Sequence, residues 1–279
     1  MSRRPVFLIS CLCFGFAFFY IPILSLIVFS FNRSRLVTVW GGFSTQWYGK
    51  LFENEQILKA ALLSLQIAVL SATFATILGT MAGIALARFR KFRGRMAFSG
   101  LVTAPLIMPE VITGISSLML FIMMAEWIGW PGSRGFTTIT IAHTTFSMAY
   151  VTTIIQSRLS SMDSSIEEAA MDLGARPWRV LTDVTLPVIA PAIIAGWLLA
   201  FTISLDDVVI TNFTTGPGAT TLPILIWSKV KLGVTPDINA LATIIITIVG
   251  VGVVLAGFIM HRAEARRERD MQMAAAGGP

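Results

Sequence analysis

Repeated apolar runs, each longer than a soluble core helix needs, decide what this chain can fold into. The hydrocarbon interior of a bilayer is about 30 Å thick and takes about 20 apolar residues of helix to cross. Nothing inside it can hydrogen-bond a bare peptide group, so only helices or closed barrels span it. Runs at residues 6–31, 58–87, 96–125, 136–155, 188–210 and 240–260 approach or exceed that length. Charged residues are 13% of the 279, whereas soluble domains carry about a quarter. The expectation is an all-α integral membrane protein with six transmembrane helices, forming one transmembrane domain over residues 1–279.

Arg3 and Arg4 before the first run look like the start of a signal peptide. The run is too long for a signal h-region and lacks a small-x-small cleavage site, so it is read as a retained span. Pro22 within it is a tolerated kink. Cys11 and Cys13 face different ways on a helix, which argues against a disulfide or a metal pair and leaves them as packing residues. Trp40, Trp47 and Tyr48 suit a membrane-interface belt. Ser64, Ser71, Thr73, Thr76, Gly79, Thr80 and Gly83 in the second run are small enough for close helix contact. With the N-terminus in the cytoplasm, fourteen of the 21 Lys and Arg lie on inner segments and seven on outer ones. That asymmetry follows the positive-inside rule and places both termini in the cytoplasm. The net charge of +6 is therefore an orientation signal, and nucleic acid is not expected as a partner.

One polar interval, residues 165–187, interrupts the second half of the chain. Ser165 ahead of Glu167 and Glu168 suits a helix start, with Ser165 and Glu168 spaced as a capping box. Ala169, Ala170, Met171 and Leu173 continue a helix, and Gly174 ends or turns it. Pro177 suits the opening of a second short helix through Trp178 and Leu181. Pro187 then leads into the fifth apolar run.

The spacing Glu168-Ala169-Ala170, three residues, Gly174, nine residues, Val184, one residue, Leu186-Pro187 resembles the EAA signature of ATP-binding-cassette importer permeases. That family usually has Ile where this chain has Val184. The whole chain most resembles the second permease subunit of putrescine-type polyamine importers. The resemblance implies a type I importer permease fold in a bacterial inner membrane, with residues 165–187 as a cytoplasmic coupling helix. Glu168, Ala169, Ala170, Gly174, Leu186 and Pro187 would then couple to an ATPase. Implied partners are a homologous permease forming a heterodimer, two ATPase subunits and a periplasmic polyamine-binding protein. Arg176 and Arg179 suit either the ATPase or lipid phosphates, or are simply a solvated cytoplasmic face.

No phosphate-binding GxxxxGK[ST], GxSxG or HExxH occurs, so the chain is not expected to be an enzyme. No cofactor is expected in it, and Mg-ATP would sit on the partner subunits. His143 and His261 are too isolated for a metal site, and His143 reads as a span-packing residue.

Glu110 is the sharpest intramembrane candidate. It lies about 20 Å along the third run from the basic loop at 88–95, directly after Pro109 and one turn beyond Pro105. A carboxylate there is expensive unless it faces water or a partner, and prolines beside it suit the broken helices of transport sites. Asp206 and Asp207 end the fifth run, either to draw in a cation or to mark the span's end. Trp197 and Phe201 before them suit the methylenes of a diamine. Acids in the spans, without central Lys or Arg, favour a cationic solute. Two other classes fit parts of this pattern: an ion-coupled carrier or channel using Glu110, and a structural assembly subunit. A carrier has no reason to hold a Gly-turned helical lever in a cytoplasmic loop, and a structural subunit would not need a midmembrane carboxylate next to a proline.

Overall fold

The computed structural model describes residues 4–36, 39–89, 91–232 and 235–251, and divides into two compact units. Residues 56–228 form one. The other joins residues 1–55 to those from 229 onward.

The described residues are helical almost throughout. In chain order the helices are α1 (Arg4–Ser30), α2 (Gln46–Glu53), α3 (Glu55–Arg88), α4 (Arg95–Ile107), α5 (Glu110–Ile128), α6 (Phe136–Ser160) and α7 (Ser165–Asp172). Then follow α8 (Pro177–Val180), a π-helical stretch (Leu181–Thr185), α9 (Leu186–Asp206), α10 (Val209–Thr214), α11 (Leu222–Leu232) and α12 (Pro236–Val251).

Four described helical segments, not six, are both long and apolar enough to cross a bilayer: Val6–Ser30, Glu55–Arg88, Glu110–Ile128 and Pro177–Asp206. Two of the expected spans depart from that pattern. Helix α6 has the length, at 25 residues, but carries seven threonines and lies mostly inside the protein. Most of its threonine hydroxyls do not need water. Thr140, Thr144, Thr145, Thr152 and Thr153 each donate to the carbonyl four residues back, at 2.7–3.0 Å, which lets a polar helix be buried. The sixth run is described only as far as Val251, and the tail from His261 lies outside the described residues.

The third run is two helices. Met108 and Pro109 are extended, with ψ of 138° at both, so α4 ends and α5 begins at Glu110. Pro109 cannot donate the bond that would continue α4. Pro105 lies inside α4 without ending it.

The larger unit is built on α3, α6 and α9. Ala72 and Ala75 of α3, Val151, Ile155 and Leu159 of α6, and Ile189 and Ala200 of α9 form its buried centre. Gly79 and Gly83 set the α3–α6 distance: a Cβ on either would fall 2.7–2.8 Å from Val151 or Ile155. This is small-residue packing, in which bare backbone lets neighbouring helices touch. Helix α4 packs on α6, and α5 packs on α10, where Gly114 admits the Phe213 ring.

In the smaller unit, Asn32 organises the loop after α1. Its Nδ2 donates to the Leu36 and Val39 carbonyls, and its Oδ1 accepts from Ser34 and Gly41 N–H groups. The interface-belt expectation is corrected for Trp47, which is buried on α2 with its indole N–H 2.6 Å from the Asn32 carbonyl. Trp40 is exposed as a belt residue would be. Cys11 and Cys13 are exposed on α1, so neither packs within the chain.

Candidate functional site

Two assemblies of polar residues stand out, both inside the unit of residues 56–228. The first is the helical turn over residues 165–187.

Helix α7 starts at Ser165, one residue earlier than a Ser165 cap requires, and no capping box forms there. Asp163 takes the capping role instead: its Oδ1 accepts the Ser165 backbone N–H at 3.0 Å. That bond to the Ser165 N–H holds the exposed Asp163 carboxyl below the usual carboxylate range. At the other end, Gly174 has φ +86°. Its N–H bonds the Met171 carbonyl, and the Ala175 N–H reaches back to Ala170, at 2.9 and 3.1 Å. These are the paired bonds of a Schellman cap, whose left-handed residue is normally Gly.

Arg176 is extended and Pro177 opens α8 in the first-turn position where its missing N–H costs nothing. From there the helix does not stop. It runs through the π-helical stretch into α9, so Pro177–Asp206 is one 30-residue element. The helix that carries the fifth run thus begins at the turn itself, at Pro177. Pro187 sits in the first turn of α9, where the wider π register has already displaced the ordinary i→i−4 ladder.

A clamp holds this turn against the unit. Arg88, the last residue of α3, sets Nη2 3.0 Å from Glu167 Oε1, with Nε 2.9 Å from Oε2. Its Nη1 donates to the Leu159 carbonyl of α6 at 3.4 Å. The Thr185 hydroxyl, at the end of the π stretch, donates to the same Glu167 Oε1 at 2.6 Å. One carboxylate therefore ties α7 to α3 and to the root of α9. Glu167 was not singled out from sequence; the available signal was an acid in a helix first turn close to a strongly basic loop.

Most of the residues expected to couple face outward. Glu168, Ala169 and Gly174 are exposed, and Ala170 is half-buried. Around them Leu173 is 90% exposed and Trp178 71%, with Ile166 and Met171 also open. Leu186 is half-buried against the α3–α6–α9 centre, and Pro187 is exposed. The outward face is a short apolar ridge beside an acid, carried on a helix pinned from behind.

The second assembly lies at the far end of α9. Asp206 is its last residue and is exposed. Asp207 turns inward, with its side chain 8% exposed. Its Oδ2 accepts the Thr211 N–H and the Thr211 hydroxyl, each at 2.7 Å, and Oδ1 accepts the Ile210 N–H at 3.2 Å. Asp207 thus caps α10. His143 of α6, 3% exposed, stands between: Nε2 is 3.2 Å from Asp207 Oδ2 and 2.9 Å from Thr211 Oγ1, and Nδ1 is 2.7 Å from Ser204 Oγ. Ser71 of α3 donates to Ser204 at 2.9 Å. His143 is buried, as a packing residue would be, but it is a hydrogen-bonded hub.

Glu110, at the first turn of α5, is exposed. Trp197 and Phe201 stack at 5.3 Å and pack on the α3–α6–α9 centre, with the indole donating to Thr73 at 3.1 Å. Among the described residues no cluster of three or more His, Cys, Asp or Glu is suited to a metal.

The family described as binding-protein-dependent transport system inner membrane component matches residues 79–269. The putrescine transport system permease protein PotI of Escherichia coli (strain K12) is 55% identical over 281 residues, covering 99% of this chain and 100% of that protein. The spermidine/putrescine transport system permease protein PotC of Haemophilus influenzae is 44% identical, over 88% of this chain and 93% of that one. A crystal structure of a bacterial ABC transporter that imports the acidic polysaccharide alginate contains a chain of like fold. Its TM-score is 0.68 at 17% identity, over 92% of this chain and 96% of that one. That likeness concerns fold alone: an all-α membrane fold of the type I importer permease kind.

Proposed function

This chain belongs to the family of binding-protein-dependent transport inner membrane components, a multi-pass inner-membrane transport subunit and not an enzyme, and on that premise we propose that it is one permease half of an ATP-driven polyamine importer of the putrescine type. Family membership makes it part of a multi-subunit transporter. The partners proposed are a homologous permease in a heterodimer, two ATPase subunits binding Mg-ATP in the cytoplasm, and a periplasmic polyamine-binding protein. Helices α6 and α12 complete six crossings, with both termini in the cytoplasm.

The observation that carries the reading is the turn at 165–187. It presents Glu168, Ala169 and Gly174 outward, with Ala170 half-buried beside them, while Glu167 fastens its back to α3 and to the root of α9. A push on that face is delivered along a continuous 30-residue helix to the acidic pair at its far end. Leu186 and Pro187 form the rigid entry to that helix.

The substrate class rests on the relatives named for putrescine and spermidine transport and on charge. Asp206, exposed at the end of α9, and Glu110, exposed at the break in the third run, are the carboxylates a cation would meet. Trp197 and Phe201 support the wall of that path. In cells expressing the complete complex, Asp206→Asn and Glu110→Gln are expected to lower uptake of labelled putrescine by about tenfold or more, the scale of one charge-assisted bond, with complex abundance unchanged. Uptake at the wild-type rate in both variants would remove these two residues from the path; loss of the complex itself would make them structural.

A further inference from the structure

His143 is the one buried imidazole among the described residues, and coupling of an ATPase does not account for it. It comes from α6, yet it touches three separate places around the break after α9: Ser204 before it, Asp207 within it and Thr211 after it. Through Ser204 it also reaches Ser71 of α3. Two neighbouring acids at this break have opposite surroundings, Asp207 enclosed and Asp206 exposed. Asp207 stands three and four residues ahead of Ile210 and Thr211, a spacing that lets it cap α10, and the His143 ring closes the other side of that cap.

We propose that His143 is the positioning residue that sets this choice, holding Asp207 as the cap of α10 so that Asp206 alone is offered to a cationic substrate. The ring fits the task on three counts. Both nitrogens are engaged, which fixes its rotation. Its Nε2 side adds a neighbour to a carboxylate already accepting two backbone N–H groups and a hydroxyl. Its bulk fills the space that water would need to reach Asp207. Removing the ring leaves Asp207 beside a hole and held only by its local bonds to Ile210 and Thr211, so a carboxylate now beside water is freer to turn outward.

The role assigned to Asp206 rests on the importer reading, so the experiment separates the two. The assembled complex is treated with a water-soluble carbodiimide and an amine nucleophile, and the peptide holding both acids is sequenced by mass spectrometry. In the wild type, Asp206 is expected to be modified and Asp207 protected. His143→Ala should raise modification of Asp207 by about tenfold, the scale of one lost buried hydrogen bond, and raise the KM for putrescine uptake more than it lowers kcat. His143→Gln, which keeps a donor and an acceptor, should restore protection to within about threefold. Where the alanine variant does not assemble, Ser204→Ala frees the ring at Nδ1 alone and should give part of the same exposure. Equal modification of both acids in the wild type would overturn the proposal, as would continued protection of Asp207 in His143→Ala. If protection changes as expected but Asp206→Asn transports normally, His143 still positions the break, and the cation reading of Asp206 is what fails.

Discussion

Gly174→Val is expected to abolish ATP-driven uptake while leaving the chain inserted and in complex with its partners. At φ +86° the residue is in the left-handed region, which costs an L-amino acid about 1–2 kcal/mol and a β-branched one more. A Cβ at this position meets nothing within 4 Å, so crowding contributes nothing and the effect is conformational. Relieving the strain means unwinding the cap, and with it the two bonds from Gly174 and Ala175 that end α7. The outward face of α7 then loses its fixed angle to Pro177 and α9. Gly174→Asn is the control, since Asn tolerates the left-handed region, and it should keep most of the uptake. Parallel assays of ATP hydrolysis and putrescine uptake check this: Val should hydrolyse without transport, Asn should do both. Normal uptake in the Val variant would show that the turn is not a lever.

Breaking the clamp behind α7 is expected to have nearly as large an effect by a different route. In Glu167→Ala the Arg88 guanidinium and the Thr185 hydroxyl lose their shared acceptor. The pair is partly exposed, 25% at Arg88 and 14% at Glu167. The cost is therefore below that of a fully buried pair, about 1–3 kcal/mol. Most of it falls on the attachment of α7, so ATP hydrolysis is expected to continue while uptake per ATP falls several-fold. The exchanged pair, Arg88→Glu with Glu167→Arg, restores the attraction but not the Thr185 bond, and so should recover part of the coupling. A double mutant no better than the worse single mutant would mean that the ion pair does not carry the attachment.

Much of this architecture was legible because the bilayer leaves a chain few options. The second run, expected over 58–87, is α3 over Glu55–Arg88, since a long apolar helix bounded by charge has clear ends. Gly174 and Pro177 were legible for a local reason: each has a backbone preference that few other residues share. What escaped were features set by partners distant in sequence. Asp206 and Asp207 are chemically the same, and what distinguishes them is the cap that Asp207 makes on α10 together with the His143 ring from α6. Glu167 and Glu168 are likewise adjacent acids in one turn. The face that meets Arg88 depends on how α7 lies against α3, which local pattern does not encode. Helix α6 was expected as an apolar span, but its polar face is tolerated by burial and by back-bonding threonines. Trp47 looked like a lipid-facing anchor until Asn32 supplied a partner for its indole. Pro187 reads as a boundary, so the sequence does not show that the helix of the fifth run extends back to Pro177. A π-helical stretch just before it removes that obstacle.

The substrate is a different matter from the fold. A chain of the same fold serves an alginate importer, so architecture alone does not choose between a cation and a polyanion. On the proposed reading the choice lies in a few side chains, Asp206 and Glu110 foremost. The central claim, an ATP-coupled permease for a polyamine, is tested most directly by reconstituting this chain in proteoliposomes with the permease and ATPase subunits proposed as its partners. ATP hydrolysis is then read with and without putrescine-loaded binding protein. Stimulation by the putrescine-loaded protein, and not by the same protein without putrescine, is the predicted result. Putrescine uptake driven by an ion gradient with the ATPase left out would contradict it, and would make Glu110 the site of a coupling ion instead.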